Sequence, residues 1–325
     1  MSHYFISLTP QAPFFFGSEK TFGDGQNQNY FAKSNPFPQQ TTILGMLRKE
    51  LLIQGNLYKE KWSDYSKEDY SNMNALIGEA FKLNRTNNFG KINTISPVFI
   101  SNGNACYIQT PFDDGLTIEF KKGRSSLDSI LGNIPIISNY TAKTGLPDSF
   151  TSTKSEMASF NEIFTKFVKV GNAKDKTEDE NDKFFKQLFY TMNKNYSFAF
   201  FADIDFDLKP SIVFMGADNS SFRMNVEKTT ETFESLFIPK SSKDRIALLS
   251  DAWVDESIYE KCIFAITEIV DFRTTDIKNW SIRKSNKFEM IKRGSVFFVD
   301  EINKSHIQKL LQNKSLQKIG YNIYN

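Results

Sequence analysis

Short apolar runs separated by glycine, proline and asparagine turn signals recur along most of the chain, and they constrain its fold more than any other feature. The segment "HYFISL", residues 3–8, alternates so that Tyr4, Ile6 and Leu8 share one face, which predicts a strand. Between Ile95 and Phe120, similar runs are broken by "SNGN" and "DDG", which predicts hairpins. Because helical patterns are few among these strands, we predict an α+β fold.

The clearest helical pattern follows "NPFPQQTT", residues 35–42. Thr41 or Thr42 is expected to cap this helix, and Gly55 is expected to end it. A helix N-terminus offers free backbone N–H groups and a positive dipole end, which suit a phosphate. An ordinary N-cap has the same pattern, so both interpretations stay open at this point. Apolar residues recur at helical spacing, namely Ile43, Leu44, Met46, Leu47, Leu51 and Leu52.

The charge balance bears on the kind of partner. Lys and Arg total 40 against 38 Asp and Glu, a formal net charge of +2. This balance argues against indiscriminate coating of nucleic acid but leaves room for a local basic track. Cys106 and Cys262 form no disulfide framework or zinc-spaced pair. No stretch reaches the ~20 apolar residues of a membrane helix, and no signal-peptide pattern is present. We therefore expect a cytoplasmic protein without a membrane partner.

Residue types that carry catalysis are scarce. His3 and His306 are the two histidines, and either is a general base if the fold brings it to a substrate, although half-exposed surface positions are more frequent. Asp203, Asp205 and Asp207 alternate, so a strand would place three carboxylates on one face, which suits a two-metal nuclease site. A half-buried strand with its aspartates toward water explains the same alternation. We favour the strand and predict no catalytic residue, no metal site and no cofactor.

Two segments combine lysine or arginine with glycine, a pattern suited to phosphate binding. The first segment is "KRGSVFFV", in which a lysine and an arginine precede a glycine. The second is "VKVGNAKDKT", which predicts a protruding basic hairpin. A solvated surface loop is the alternative explanation of each segment. The wider segment 273–293 holds seven Lys or Arg against two acids, and its Trp280 and Phe288 could stack on bases.

These blocks, in this order, resemble one family. A strand at the start is followed by "PFPQQTTILGMLR", "VKVGNAKDKT" and the terminal "RGSVFFV … IGYN", and the similarity runs from Phe15 to Asn322. The chain is similar to the RAMP subunit that caps the 5′ end of the guide RNA in type III-B (Cmr) CRISPR effector complexes. The resemblance implies two ferredoxin-like (RRM-like) modules with a thumb-like β insertion. We accordingly expect an N-terminal module over residues 1–138, the insertion over 139–195, and a C-terminal module with a Gly-rich loop over 196–325.

The resemblance also implies a function. Members of the family hold the repeat-derived 5′ tag of the crRNA, contact the large polymerase-like subunit and the backbone RAMP subunit of the filament, and have no catalytic activity of their own. The implied RNA-binding positions are Gln39, Gln40, Thr41, Thr42, Gly45, Arg48, Lys169, Gly171, Asn172, Lys174, Lys176, Lys292, Arg293, Gly294, Ser295, Gly320, Tyr321 and Asn322.

The sequence departs from the family pattern at two places. Lys292 and Arg293 stand where the family often has proline and alanine, so the resemblance does not carry the exact loop geometry over to this chain. Lys169 stands where arginine is more frequent, so the charge is retained but the planar fork of the guanidinium is not.

Two other functions stay open. A RAMP-type endoribonuclease would cut the guide precursor without metal, through a general base such as His3. A purely structural subunit would contact its protein neighbours and barely touch RNA. Because histidine is scarce and no catalytic cluster is present, we rank the RNA-binding subunit first, the structural subunit second and the nuclease third.

Overall fold

The structure, a computed structural model, describes residues 2–17, 31–83, 85–122, 133–141, 143, 145–173, 183–216, 218–237, 244–273, 275–278, 281–284 and 287–325. Within these ranges strands and helices are mixed, and nearly all neighbouring strands run antiparallel, which confirms the predicted α+β class. None of the helices in these ranges is long and apolar enough to cross a membrane.

The described helices are α1 (Gln40–Gln54), α2 (Lys67–Ile77), α3 (Phe160–Ile163), α4 (Phe233–Leu236), α5 (Glu301–Leu311) and α6 (Lys314–Gln317). Short 3₁₀ helices cover Trp62–Asp64 and Tyr259–Lys261. The described strands are β1 (Ser2–Pro10), β2 (Phe31–Lys33), β3 (Ile92–Ile95), β4 (Phe99–Ser101), β5 (Cys106–Gln109), β6 (Thr117–Lys122), β7 (Asn133–Ser138), β8 (Ser149–Ser152), β9 (Met157–Ser159), β10 (Phe164–Ala173), β11 (Lys183–Met192), β12 (Ser197–Ile204), β13 (Ser211–Met215), β14 (Ser220–Lys228), β15 (Arg245–Ala247), β16 (Phe264–Ile266), β17 (Ile269–Phe272), β18 (Thr275–Lys278), β19 (Ser281–Lys284), β20 (Phe288–Ile291) and β21 (Val296–Phe298).

The largest sheet is built around the N-terminal strand. Its order is β13-β14-β1-β12-β4-β5-β8-β9, and β3 pairs with the end of β12. Strand β1 is antiparallel to both neighbours, with Ile6 opposite Phe200 on β12 and Val226 on β14. Tyr4, Ile6 and Leu8 are all buried, which confirms the face predicted from their alternation.

All six predicted apolar residues of helix α1 are buried, and all except Leu52 pack into the same core as that face of β1. The helix begins at Gln40, and the carbonyl oxygen of Gln39 accepts the N–H of Thr42 at 2.9 Å. The prediction that Thr41 or Thr42 caps the helix was wrong, because the extended backbone ends at Gln39 and both threonines already lie in the first turn. Gly55 ends the helix as predicted, with its N–H donating to the Leu51 carbonyl at 2.8 Å.

Smaller sheets complete the described chain. Strands β15, β21 and β16 form one of three strands, and it packs with α5 around a second core that contains Ile246, Phe297, Ile307 and Leu311. The long hairpin of β10 and β11 is extended by β2, which lies parallel to β11. This hairpin falls inside the range predicted for the thumb-like insertion.

The predicted limit between the insertion and the C-terminal module, at residues 195 and 196, does not coincide with a boundary between sheets. Strands β12, β13 and β14 lie beyond that limit, yet they are hydrogen-bonded into the sheet of β1. A limit that follows the hydrogen bonding therefore has to lie beyond Lys228. The ferredoxin-like character of the two modules and the thumb-like role of the insertion stay predictions.

Candidate nucleic-acid interface

The start of α1 and the closing segment of the chain meet at Gln40. Its side chain is fully buried, and its Nε2 donates to the carbonyl oxygens of Ser96 (2.8 Å) and Ile319 (2.9 Å), the second of which is 279 residues away in sequence. Gly320 permits this approach, because a Cβ at that position would lie 1.8 Å from Gln40 Nε2 and 2.5 Å from the Ser96 oxygen. Its φ of +82° is also a conformation that favours glycine.

Tyr321 and Asn322 belong to the same contact region. The Tyr321 hydroxyl accepts the N–H of Thr41 at 3.4 Å, and burial raises the pKa of this phenol well above its ordinary value. Asn322 is fully buried; its Oδ1 accepts the N–H of Trp253 and its Nδ2 donates to the Trp253 carbonyl, both at 2.8 Å. Both side chains therefore organise the interior.

The "KRGS" loop packs against the approach to α1 through Arg293, which is 6% exposed. Its backbone N–H donates to Asp251 Oδ1 at 2.9 Å, and its Nη1 donates to the Val98 carbonyl at 2.9 Å. The guanidinium carbon lies 4.8 Å from the centre of the Phe37 ring, three residues before α1 begins. The guanidinium of Arg293 therefore makes its contacts inside the protein, with the Val98 carbonyl and the Phe37 ring.

Gly294 and Ser295 continue this loop in buried positions. Gly294 has a φ of +86°, and a Cβ there would lie 2.9 Å from both Gln109 Cγ and Phe112 Cε1. The Ser295 hydroxyl accepts the N–H of Glu268 at 3.4 Å. We use the term buried junction for the set that these contacts bring together, namely Gln40, Arg293, Gly294, Ser295, Gly320, Tyr321 and Asn322.

Other predicted residues near the junction reach solvent. Gln39, Thr41 and Thr42 are partly exposed at the start of α1, and Gly45 is exposed with nothing within 4 Å of a Cβ position. Lys292 is also partly exposed, and its Nζ lies 2.7 Å from Glu268 Oε2.

Arg48 lies on α1 but turns inward. Its Nη2 donates to the carbonyl oxygens of Glu79 (2.6 Å) and Asn88 (3.4 Å). Burial lowers the pKa of the guanidinium to about 10, so the group is still charged at neutral pH. Its Nε is buried and donates to none of the described residues. Arg48 therefore ties α1 to the segment that follows α2.

The predicted basic hairpin is β10 and β11. Lys169 is exposed and lies opposite Gln187, beside a cleft of about 650 Å³ that Asp218 also lines. Gly171 and Asn172 follow on the same strand, opposite Phe185 and Phe184. Lys174 and Lys176 lie outside the described residues.

The exposed carboxyl of Asp148 relates the hairpin to the "KRGS" loop. Burial raises the pKa of Asp148, while Lys292 and Lys166 act on the same group in the opposite direction. Lys166 is exposed on β10. The hairpin base and the loop at Lys292 therefore lie within electrostatic reach of one carboxyl, with the exposed Lys166 on one side and the partly exposed Lys292 on the other.

Sequence reasoning missed the residues that complete the buried junction. Ser96 and Val98 contribute backbone carbonyl oxygens, which every residue type has, so no side-chain signal marks them. Asp251 is an isolated acid in an apolar segment, a pattern that indicates a paired buried carboxylate. Phe37 lies in the segment "NPFPQQTT" that precedes α1, and its ring packs against the guanidinium of Arg293 rather than stacking on a base.

The model of a family described as CRISPR-associated protein (Cas_Cmr3) matches residues 6–324, which include every segment of the buried junction and the hairpin. The chain belongs to this family. The match confirms the resemblance found in the sequence. In a search of curated proteins, none matches the chain.

Two solved structures are similar to this member of the Cas_Cmr3 family. One, of the type III-B Cmr-β complex bound to cognate target RNA, has a chain with 16% identity and a TM-score of 0.55, and the match covers 99% of this chain and 96% of that chain. The second, bound to target RNA and AMPPnP, gives 17% identity and a TM-score of 0.52, covering 98% and 94%. At these identities the likeness shows a shared fold.

Groups with catalytic potential have other partners in this Cas_Cmr3 member. His3 Nδ1 lies 2.6 Å from Asp203 Oδ1, and its Nε2 lies 2.7 Å from the Glu231 carbonyl oxygen. Strand β12 ends at Ile204, so the continuous strand expected through Asp207 was wrong, and Asp207 pairs with Lys209 instead.

The other reactive residue types give no site within the described ranges. Burial raises the pKa of Cys106 and Cys262 to about 11, which keeps both thiols protonated at neutral pH. In the same part of the chain, no group of three or more His, Cys, Asp or Glu is arranged to hold a metal ion.

Proposed function

We propose that this protein is a non-catalytic subunit of a type III-B CRISPR effector complex. In this role it binds the 5′ repeat-derived tag of the crRNA and bridges the large polymerase-like subunit to the backbone RAMP subunit. The observation that carries the proposal is the match of the Cas_Cmr3 family to residues 6–324. Similar folds in type III-B Cmr-β complexes with bound target RNA support a ribonucleoprotein setting.

The division between buried and exposed residues assigns different roles within the tag interface. The exposed groups are suited to direct contact: the Thr41 and Thr42 hydroxyls can donate to phosphate oxygens, and Gly45 leaves open space for the RNA backbone. The buried junction holds these groups in place, since Gln40 at the start of α1 donates to the Ser96 and Ile319 carbonyls and the Tyr321 hydroxyl accepts the N–H of Thr41.

The basic residues outside the junction supply the charge for phosphate binding. Lys166 and Lys169 are exposed on the hairpin, and Lys292 is partly exposed on the neighbouring loop. Exposed ammonium groups neutralise phosphates and release counterions, which makes binding dependent on salt. The tag therefore lies between the start of α1, the loop at Lys292 and the hairpin base.

The deciding experiment is ultraviolet crosslinking with mass spectrometry on the protein assembled with its partner subunits and crRNA. Crosslinks from the repeat-derived 5′ end to residues 39–45, to Lys166 or Lys169, and to Lys292 are expected. A complete complex whose RNA crosslinks only to other subunits would instead assign this chain a purely structural role.

A nuclease assay separates the remaining alternative. The isolated protein is incubated with a labelled crRNA precursor, and no cleavage is expected. Cleavage that disappears in His3→Ala or His306→Ala would contradict the non-catalytic assignment.

A further inference from the structure

A basic cleft lies apart from the tag interface. It measures about 960 Å³ and is formed by the segment 83–87, the segment 253–256 and the helices α5 and α6. None of the residues that the sequence assigned to the tag interface lines it. The cleft therefore requires an explanation of its own.

The charge of this cleft is concentrated on one wall. Lys309, Lys314 and Lys318 line it from α5, α6 and the residue after α6, and Arg85 faces it from the neighbouring segment. All four are exposed, and none forms an ion pair with another described residue. The last 24 residues of the chain contain four lysines and no Asp or Glu. Unpaired ammonium groups in a concave wall attract a polyanion.

Trp253 provides an aromatic surface in the same cleft. The side chain is partly buried and packs against the main core, and the residue also lines the cleft. Its backbone is held on both sides by Asn322, whose Nδ2 also donates to the Leu311 carbonyl at 3.2 Å. Asn322 is thus a positioning residue that fixes Trp253 against the end of α5.

The opposite wall is also held in place. Ser315 Oγ on α6 accepts the backbone N–H of Asn87 at 3.1 Å and its side-chain Nδ2 at 3.0 Å. Asn313 Oδ1 accepts the N–H groups of Ser315 and Leu316, both at 3.1 Å. Because both walls are tied by hydrogen bonds, the cleft is formed before any ligand binds, which lowers the entropy cost of binding.

We propose that this cleft binds a segment of single-stranded RNA, with a base stacked on Trp253 and the backbone phosphates at Lys309, Lys314 and Lys318. An aromatic platform beside a line of cations is the arrangement by which proteins hold single strands without reading sequence. Asp255 and Glu256 lie on the segment that carries Trp253, so phosphates are kept to the lysine wall. The proposal goes beyond tag binding, because it concerns RNA that need not contain the tag.

The first test measures the affinity of the full-length protein for a short fluorescein-labelled single-stranded RNA without repeat-derived sequence, by anisotropy over a salt series. The double variant Lys309→Gln/Lys314→Gln is expected to bind roughly tenfold more weakly at low salt, with a salt slope reduced by about 1.4, because each phosphate left without its lysine lowers the slope by about 0.7. The matched control is Lys154→Gln/Lys194→Gln, which changes two exposed lysines outside the cleft and should leave both values unchanged.

The second test addresses the aromatic surface. Trp253→Phe keeps an aromatic ring in the core and should fold, while the smaller ring should weaken binding about threefold. A 4-thiouridine-containing strand should crosslink to Trp253 in the unmodified protein. Unchanged affinity and slope in the lysine double variant, or displacement of the RNA by poly-glutamate at equal concentration, would overturn the proposal, the latter in favour of an acidic protein partner.

The two proposals fail independently. Crosslinks of tag RNA to residues 39–45 are scored in the same variants, and they should persist when the cleft lysines are changed. Absence of tag crosslinks with intact binding of the untagged strand would count against the tag interface alone.

Discussion

The buried junction and the β10–β11 hairpin were assigned to the same RNA, yet their residues have opposite surroundings. In the junction, Arg293 is 6% exposed and its charge and donors contact Asp251, Val98 and Phe37. On the hairpin, Lys169 is exposed on a strand that is held by backbone pairing.

This difference separates positioning from contact. A residue whose donors are already used by carbonyl and carboxylate groups inside the protein cannot offer them to a phosphate without leaving those groups unpaired, which costs free energy. An exposed lysine loses only its hydrating water when it binds a phosphate. We therefore expect changes in the junction to act on stability and changes on the hairpin to act on RNA affinity.

The largest effect is expected for Gly320→Ala. The new Cβ would meet Gln40 Nε2 and the Ser96 oxygen, so the hydrogen bonds at the start of α1 must break. We expect the free energy of unfolding, measured in urea, to fall by roughly 4 kcal/mol. Gly103→Ala is the matched control, because Gly103 has a φ of +80° and nothing within 4 Å, and its free energy of unfolding should fall by only about 1 kcal/mol. Equal decreases would show that backbone strain, rather than the junction contact, accounts for the effect.

Arg293→Met should come next. The variant keeps the length of the side chain but removes the guanidinium, so the Val98 carbonyl loses its side-chain donor and Asp251 keeps only the backbone N–H of residue 293. We expect this loss to lower the free energy of unfolding by about 3 kcal/mol. Arg223→Met, at an exposed position on β14, should stay within about 0.5 kcal/mol of the unmodified protein. The salt slope for tag RNA should be unchanged in folded Arg293→Met. A reduced slope with full stability would place this arginine on a phosphate.

The hairpin lysines should give the reverse result. Lys166→Gln and Lys169→Gln should each alter stability by less than about 0.5 kcal/mol, because both side chains are exposed. Each should reduce the salt slope of tag binding by about 0.7, the value for one phosphate contact on a single strand. Lys154→Gln serves as the control in the same titration. If the slope of both hairpin variants matches that control, the hairpin does not follow the RNA backbone.

The smallest effect is expected for Asp148→Asn. A carboxyl whose pKa is raised on folding holds its proton more tightly in the folded state, so its ionisation lowers stability as the pH rises above the ordinary value of 3.8. The variant should gain roughly 0.5 kcal/mol at pH 7, and the gain should disappear near pH 3. Urea unfolding at the two pH values measures this difference. A gain that is equal at both values would come from packing and not from charge.

The elements with strong periodicity could be predicted from the sequence. The alternation of Tyr4, Ile6 and Leu8 and the apolar positions of α1 were recognised because each depends on the geometry of a single strand or helix. The cap of α1 and the end of β12 were misjudged by one or a few residues. In both cases the boundary depends on neighbours, since β12 ends where its pairing with β1 and β3 stops at Ile204.

The candidate site shows the same difference between features that depend on local sequence and features that depend on neighbouring segments. Its segments were proposed from the sequence because glycine, lysine and arginine stand together in short blocks, and the family match spans all of them. Their roles could not be assigned, because a side chain such as Arg48 or Arg293 has the same chemistry whether it faces solvent or a buried carbonyl. The lysine wall beside Trp253 went unrecognised, since the residues that form the cleft come from three separate segments.

The sequence by itself determined the fold class, the buried face of β1, the apolar face of α1 and the family. These properties follow from local periodicity and from the order of short blocks along the chain. Only the tertiary structure decided that Gln40 bonds to Ile319 across 279 residues of sequence, and which arginines are enclosed. The physical reason is that burial and hydrogen-bond partners depend on contacts between distant segments, and those contacts exist only after the chain has folded.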